Sequence, residues 1–321
     1  SSILDEPIKH RDELVRVGCL RPKIRNFLDH KKRNALALDA MVPAKRNQAA
    51  LETRNALAGE VNHRALQDGA AGALQVFVIM RDDNIVFERY QRGFTADTVV
   101  DSGPFAQVLV ALAAGVAAKQ GALPAPALHG FDASALRAAI EAGTQQRYEV
   151  YLSRKLWSRL NAAAAWIALP VSGAATPADC CFHARVLDWM RIASLLVDDG
   201  RFEGKQLVPP GWVQRMARPI SLDAVRGFGV ELAASAHGAE PFAADGVFFV
   251  RGPGRWRLWL VPQLKLAVLF GADARGAAAP GADAPAMWDE TRLPNLVIRA
   301  VSDRSLQRGD ATDLQRLVPG H

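Results

Sequence analysis

Between Asp101 and Ala117 the chain reads DSGPFAQVLVALAAGVA, an apolar helix that opens on a proline, and no other stretch constrains the possible fold as strongly. Proline suits a first helical turn, where the N–H it lacks would have no intrahelical partner anyway. Pro104 to Ala118 is the longest nearly apolar run, and Gln107 interrupts it. A bilayer span needs roughly 18 apolar residues or more, so no transmembrane span is expected. With 321 residues, half of them hydrophobic, the chain can bury one large core or two packed lobes.

Two strand-like runs precede the helix, Ala73 to Met80 and Asn84 to Tyr90, with Arg81, Asp82 and Asp83 as turn residues, and together they read as a hairpin. A Pro-rich break follows at Leu123 to Pro126, then helical spacing over Asp132 to Glu141, Tyr148 to Leu160, His183 to Val197 and Pro210 to Ala217. Strands are predicted at Gly227 to Leu232, Gly246 to Val250, Trp256 to Val261 and Lys265 to Phe270, and a last helix at Leu296 to Val301 beyond an Ala, Gly and Pro-rich loop. Strands early and late with helices between imply an α+β plan, in which both ends of the chain build one antiparallel sheet. Residues 1–70 read as a basic helical N-terminal extension, with a helix at Gln48 to Ala65, and residues 71–321 as the main domain.

The net charge of +6 suits an acidic surface, but it is local: Lys9 to Arg33 holds nine basic residues against three acidic ones. Aromatics that could stack on bases are not interleaved there, so nucleic-acid binding is not expected. Cys19, Cys180 and Cys181 make no disulfide framework, and no paired His or Cys spacing supports a metal site or a cofactor.

The apolar helix after two strands, preceded by ERYQRGF and DT, resembles the main helix of serine β-lactamases, penicillin-binding proteins and related esterases. The later segments YLSRKLWSRL, ADCCFHARVLDWMRIASLLVDDGRFEGKQLVPPGWV and RWRLWLVPQLKLAVLF are similar to further landmarks of that family in the expected order. Within it, class C-type esterases and aminohexanoate-oligomer hydrolases are the nearest in kind. The resemblance covers about Leu74 to Phe270. It implies a β-lactamase/transpeptidase-like fold, an antiparallel sheet of N- and C-terminal strands flanked by helices. The short segment between Gly121 and Tyr151 implies a reduced helical lobe. A bacterial setting is expected from the family, with cytoplasm and periplasm both open.

The family's chemistry does not carry over. Aligned on Gly115 and Gly121, the serine of S-x-x-K falls on Pro104 and the lysine on Gln107. Proline has no hydroxyl to acylate, and glutamine cannot take up the serine proton. The tyrosine element should fall near Leu128, His129 and Gly130, where no tyrosine stands. The third element should fall on RGPGR, where Pro253 would remove an N–H from a substrate-holding edge and Arg251, Gly252, Gly254 and Arg255 are candidate ligand contacts. A catalytically inactive homologue acting in binding or scaffolding is therefore expected, its partner an unidentified protein or small molecule. The alternative is a serine hydrolase with a displaced nucleophile at Ser102, although Ser102 also reads as a helix cap. Lys119 is too far along the helix to serve as base. Tyr90, Tyr148 and Tyr151 read as packing residues, and His237 and Asp245 as loop residues. Trp256 and Trp259, three apart on a strand, should face opposite ways, leaving one as a surface candidate.

Overall fold

Strand alternation and one wholly apolar helix dictate the layers. The computed structural model describes residues 14–17, 74–168, 182–220, 224–272 and 289–302. In chain order, β1 (Leu14–Val17) precedes the hairpin of β2 (Leu74–Arg81) and β3 (Asn84–Tyr90), and β4 (Val99–Asp101) then leads into the main helix. That helix starts as a 3₁₀ turn, Gly103–Phe105, and continues as α1 (Ala106–Lys119). Next come α2 (Ala133–Thr144), α3 (Tyr148–Lys155), β5 (Ala165–Ala168), β6 (Phe182–Arg185) and α4 (Val186–Val197). A small hairpin, β7 (Arg201–Phe202) and β8 (Lys205–Gln206), precedes α5 (Trp212–Met216), β9 (Glu231–Leu232), β10 (Phe248–Arg251), β11 (Arg257–Val261) and β12 (Leu266–Ala272). Helix α6 spans 292–302.

Six strands form an antiparallel sheet in the order β3-β2-β12-β11-β10-β9, so the early hairpin pairs with the last strand. The β2–β3 turn is the tight two-residue kind, with Asp82 and Asp83 both at positive φ, matching the twist of the strands it joins. Period-two alternation sends Val76, Val78, Met80, Val250, Leu258 and Leu269 to one face, which packs with α1 and α4. The other face carries Phe77, Ile79, Phe249, Trp259 and Val268 and is covered by Val297 and Ile298 of α6. A second sheet, β1-β5-β6-β4, lies beside the first turn of the main helix. The fold is thus α+β and antiparallel, built from both ends of the chain as its spacing predicted.

Two glycines fix how α1 sits. A Cβ on Gly115 would fall 2.5 Å from the Trp212 indole nitrogen, and that indole N–H donates to the Ala111 carbonyl at 3.0 Å. At the other end, Gly121 (φ +70°) donates to the Ala118 carbonyl while Ala122 donates to that of Ala117. This reciprocal closure needs a left-handed residue, which glycine adopts without a steric penalty.

The structure corrects several expected elements. His183 belongs to a strand, β6, and the helix after it starts only at Val186. Of Gly227 to Leu232 only Glu231–Leu232 is strand, and the rest is a turn closed by a single bridge between Arg226 and Glu231. Within the N-terminal segment, residues 14–17 form a strand antiparallel to β5 instead of a helix. The helix expected at Gln48 to Ala65, the loop Gly276 to Pro285 and the three cysteines lie outside the described residues. Trp256 and Trp259 are both buried, so neither is a surface contact: Trp256 packs beside Phe94 and Trp259 beside Phe270.

Gly115→Ala forces a methyl into the Trp212 ring, a case of overpacking. It is expected to lower stability by about 1–3 kcal/mol, read as a lower urea midpoint with unchanged slope.

Candidate ligand-binding cleft

From Ala106 to Ala117 every residue of α1 is buried except Gln107. Gln107 lines a cleft of about 560 Å³ together with Pro104, and the sequence alignment placed those two residues at the catalytic serine and lysine positions. The cleft lies where the helix opens, between the start of α2 (Phe131, Asp132, Ala133, Ser134), the turn around Arg226, Gly229 and Val230, and the end of β10 at Val250 and Arg251. Its walls are mixed: Pro104, Phe131, Ile220, Val230 and Val250 are apolar, while Gln107, Asp132, Ser134, Arg226 and Glu231 are polar or charged. Phe131 is fixed edge-on to Phe228 with ring centroids 5.1 Å apart, and Phe228 in turn packs on Trp212.

Ser102 does not line this cleft. It is 1% exposed, and its Oγ donates to the Gly103 carbonyl at 3.2 Å while its N–H donates to the Phe182 carbonyl at 2.8 Å. The expected capping bond from Ser102 is not made; Asp101 Oδ1 accepts from the Gly103 N–H instead, at 3.1 Å. That bond, from an N–H two residues ahead, is an Asx turn leading into the helix.

Arg251 meets the cleft through its main chain. Gly252 N–H donates to the Trp256 carbonyl, so by antiparallel alternation the Arg251 N–H and C=O point away from β11, and β9 has ended its pairing at Glu231 opposite Phe249. The side chain goes to the other face of the sheet. There the guanidinium lies 5.0 Å over the Phe249 ring, donates to the Ser235 carbonyl at 2.7 Å and pairs with Glu290. Gly252, Gly254 and Arg255 sit in the β10–β11 turn and do not line the cleft. Pro253 lies in the same turn with its ring against Gly103, past the end of the β10 edge.

Glu290 organises this wall. Its carboxylate is 2% exposed and accepts from Arg251, from Arg257 Nε at 2.7 Å and from the His237 N–H at 3.0 Å. Burial alone would raise its pKa, but the His237 N–H and the Arg257 and Arg251 guanidiniums outweigh it and hold the carboxyl below the ordinary range. Arg257 is pushed down by burial and supported by Glu290 and, more weakly, by Glu231.

The remaining candidates lie elsewhere. Tyr148 and Tyr151 are buried among the helices; burial pushes Tyr151 up to about 12 and Tyr148 higher still, so both stay protonated at neutral pH. Tyr90 donates to Glu88 at 3.1 Å. Lys119 is exposed at the far end of α1, and His237 and Asp245 are exposed loop residues. Where the tyrosine element was expected, Leu128 only supplies a carbonyl to Arg215. The wall is made just after it, by Phe131 to Ser134. Asp132 caps α2 by accepting from Ala135 N–H at 2.9 Å. The D-x-S start of that helix was readable in the sequence as a cap, but its place in the cleft was not. Arg226 and Glu231 gave no sequence signal at all. Among the described residues no cluster of His, Cys, Asp or Glu could hold a metal ion, and no helix is long and apolar enough to cross a membrane.

These elements define the β-lactamase/penicillin-binding-protein-like fold, the fold of a class of serine hydrolases. Solved structures agree: a candidate β-lactamase from Bacteroides dorei matches at 14% identity and TM-score 0.57, over 76% of this chain and 98% of that one. A family VIII carboxylesterase matches at 11% and 0.55, over 78% and 97% of the two chains, and a candidate 6-aminohexanoate-dimer hydrolase from Bacillus anthracis at 14% and 0.52, over 80% and 82%. No protein-family model and no curated protein matches the sequence.

Glu290→Gln leaves two guanidiniums around a neutral amide and is expected to cost about 3 kcal/mol at pH 7. Because the folded-state pKa of Glu290 is depressed, its contribution is complete above the unfolded-state value and is lost as pH falls through the folded one. The gap between wild type and variant in urea unfolding should therefore narrow in acid.

Proposed function

We propose that this chain is a catalytically inactive homologue of the β-lactamase-like serine hydrolases, whose cleft binds a ligand without acylation. The observation that carries this reading is the pair Pro104 and Gln107, which meet the cleft at the opening of α1. Acyl transfer by this fold needs a nucleophile whose proton is taken by a nearby base. Neither side chain can fill either role. The lining includes one hydroxyl, on Ser134, and no lysine, histidine or tyrosine that could activate it. Ser102, the alternative nucleophile, is buried with its hydroxyl turned to a carbonyl. A cleft with apolar and polar lining, and a main-chain edge at Arg251 beyond the last β9 pairing, supports a binding role.

Intact-mass spectrometry after incubation with a fluorophosphonate and, separately, with a β-lactam is expected to give no adduct, beside a labelled serine hydrolase of the same fold. A stoichiometric adduct mapped to Ser102 or Ser134 would overturn the reading and make the chain a hydrolase with a relocated nucleophile.

A further inference from the structure

Resting on that reading, we infer that the cleft selects an uncharged ligand that both donates and accepts hydrogen bonds, a carboxamide in chemical class, with Gln107 as its main partner and Ser134 as a second. Two cations, Arg226 and Arg251, and two anions, Asp132 and Glu231, line the cleft, so the lining carries no net formal charge. Arg226 and Glu231 are direct partners across one β-bridge and share a face, where opposite charges side by side offset each other. Arg251 turns its guanidinium to the buried carboxylate of Glu290 and to the Ser235 carbonyl. Asp132 accepts from the Ala135 N–H at the start of α2, where the helix dipole offsets its charge. Each lining charge thus has an opposite charge or a helix N-terminus beside it.

What the lining leaves unused is neutral. The Gln107 carboxamide and the Ser134 hydroxyl make no hydrogen bond among the described residues, though both line the cleft. Gln107 stands at the opening of α1 and Ser134 on the first turn of α2, so the two groups reach the cleft from different elements. A carboxamide is donor and acceptor at once, and a ligand amide can meet Gln107 with one bond in each direction. Phe131, Val230 and Val250 add apolar surface to the same lining. In a small-molecule site such surface supplies burial, and a few polar groups set orientation. A carboxylate or an ammonium entering this lining loses hydration without gaining a free counter-charge, whereas a carboxamide exchanges its water for Gln107 and Ser134.

The test is isothermal titration and amide chemical-shift mapping with three probes of similar shape: 3-phenylpropionamide, 3-phenylpropionate and 3-phenylpropylamine. The amide is expected to bind about tenfold more tightly than either charged probe, with shifts at Gln107, Phe131 and Val230, and its affinity should not change with salt. Gln107→Glu keeps the size of the side chain and replaces its donor by a charge. In that variant the amide is expected to weaken and the amine to become the tightest of the three. Ser134→Ala, at an exposed position, should weaken the amide alone, by about threefold. Carboxylate or amine binding as tightly as the amide, an unchanged order in Gln107→Glu, or an amide affinity untouched by Ser134→Ala overturns this inference and leaves a non-acylating cleft intact. Failure of all three probes to bind overturns it as well. A covalent adduct from the reactive probes above overturns the functional reading instead, and the two failures are told apart by mass.

Discussion

Between Val108 and Ala117 helix α1 has no polar side, and the rest of the structure is arranged around the need to bury that stretch whole. Its residues are small or branched aliphatics, so neighbours can approach from every direction, and Trp212 does so against Gly115. An amphipathic helix could lie on the surface with one face wet. This one cannot. It needs the sheet side of the core together with α2, α3 and α5 around it, which is why one continuous cluster of buried residues runs from β2 through α1 and α4 to β12.

Placing so much apolar surface at the centre leaves polar groups to be satisfied where elements converge. Two of the buried carboxylates among the described residues illustrate this. Asp188 at the start of α4 is fully buried and accepts from Arg185 at 3.0 Å and from the Ala163 N–H at 3.3 Å, while Arg185 reaches on to Asp97 at 2.8 Å. It ties α4 to the second sheet and to the loop ahead of β5. Glu290 does the same work at the opposite end, drawing β10, β11 and the loop at His237 to the head of α6. A buried charge that lost its partners would cost several kcal/mol, so each arrangement fixes a geometry more than it adds net stability. The wall of the cleft at Arg251 is held by Glu290 in this way.

The cleft wall at Arg251 is therefore framed by buried ion pairs. The opening of the central helix, the end of β10 and the start of α2 meet at this cleft. What they bring is proline, glutamine, a main-chain edge and a phenylalanine. Neither Pro104 nor Gln107 can give or take the proton that acylation through a serine requires. The proposed binding without turnover rests on that pair of side chains.

Local pattern alone carried much of the fold. The apolar run from Pro104, the alternating runs of β2 and β3, the turn at Asp82 and Asp83 and the strands before Phe270 were legible because each is fixed by a period or a backbone preference within a few residues. Pro104 and Gln107 were readable as residue types that lack a hydroxyl and a titratable amine, and the structure places both at the cleft. What the sequence could not decide was anything set by contacts between distant segments. His183 follows a helical spacing, yet it became a strand because Val99–Asp101, more than 80 residues away, offered a partner. Arg251 looked like a ligand contact, and strand alternation with a carboxylate 39 residues downstream turned its side chain to the other face. Arg226 and Ser134 have no motif at all, and only the meeting of α1, α2 and the turn before β9 put them in one cleft. Periodicity is a property of neighbours in sequence, but a site is a property of neighbours in space.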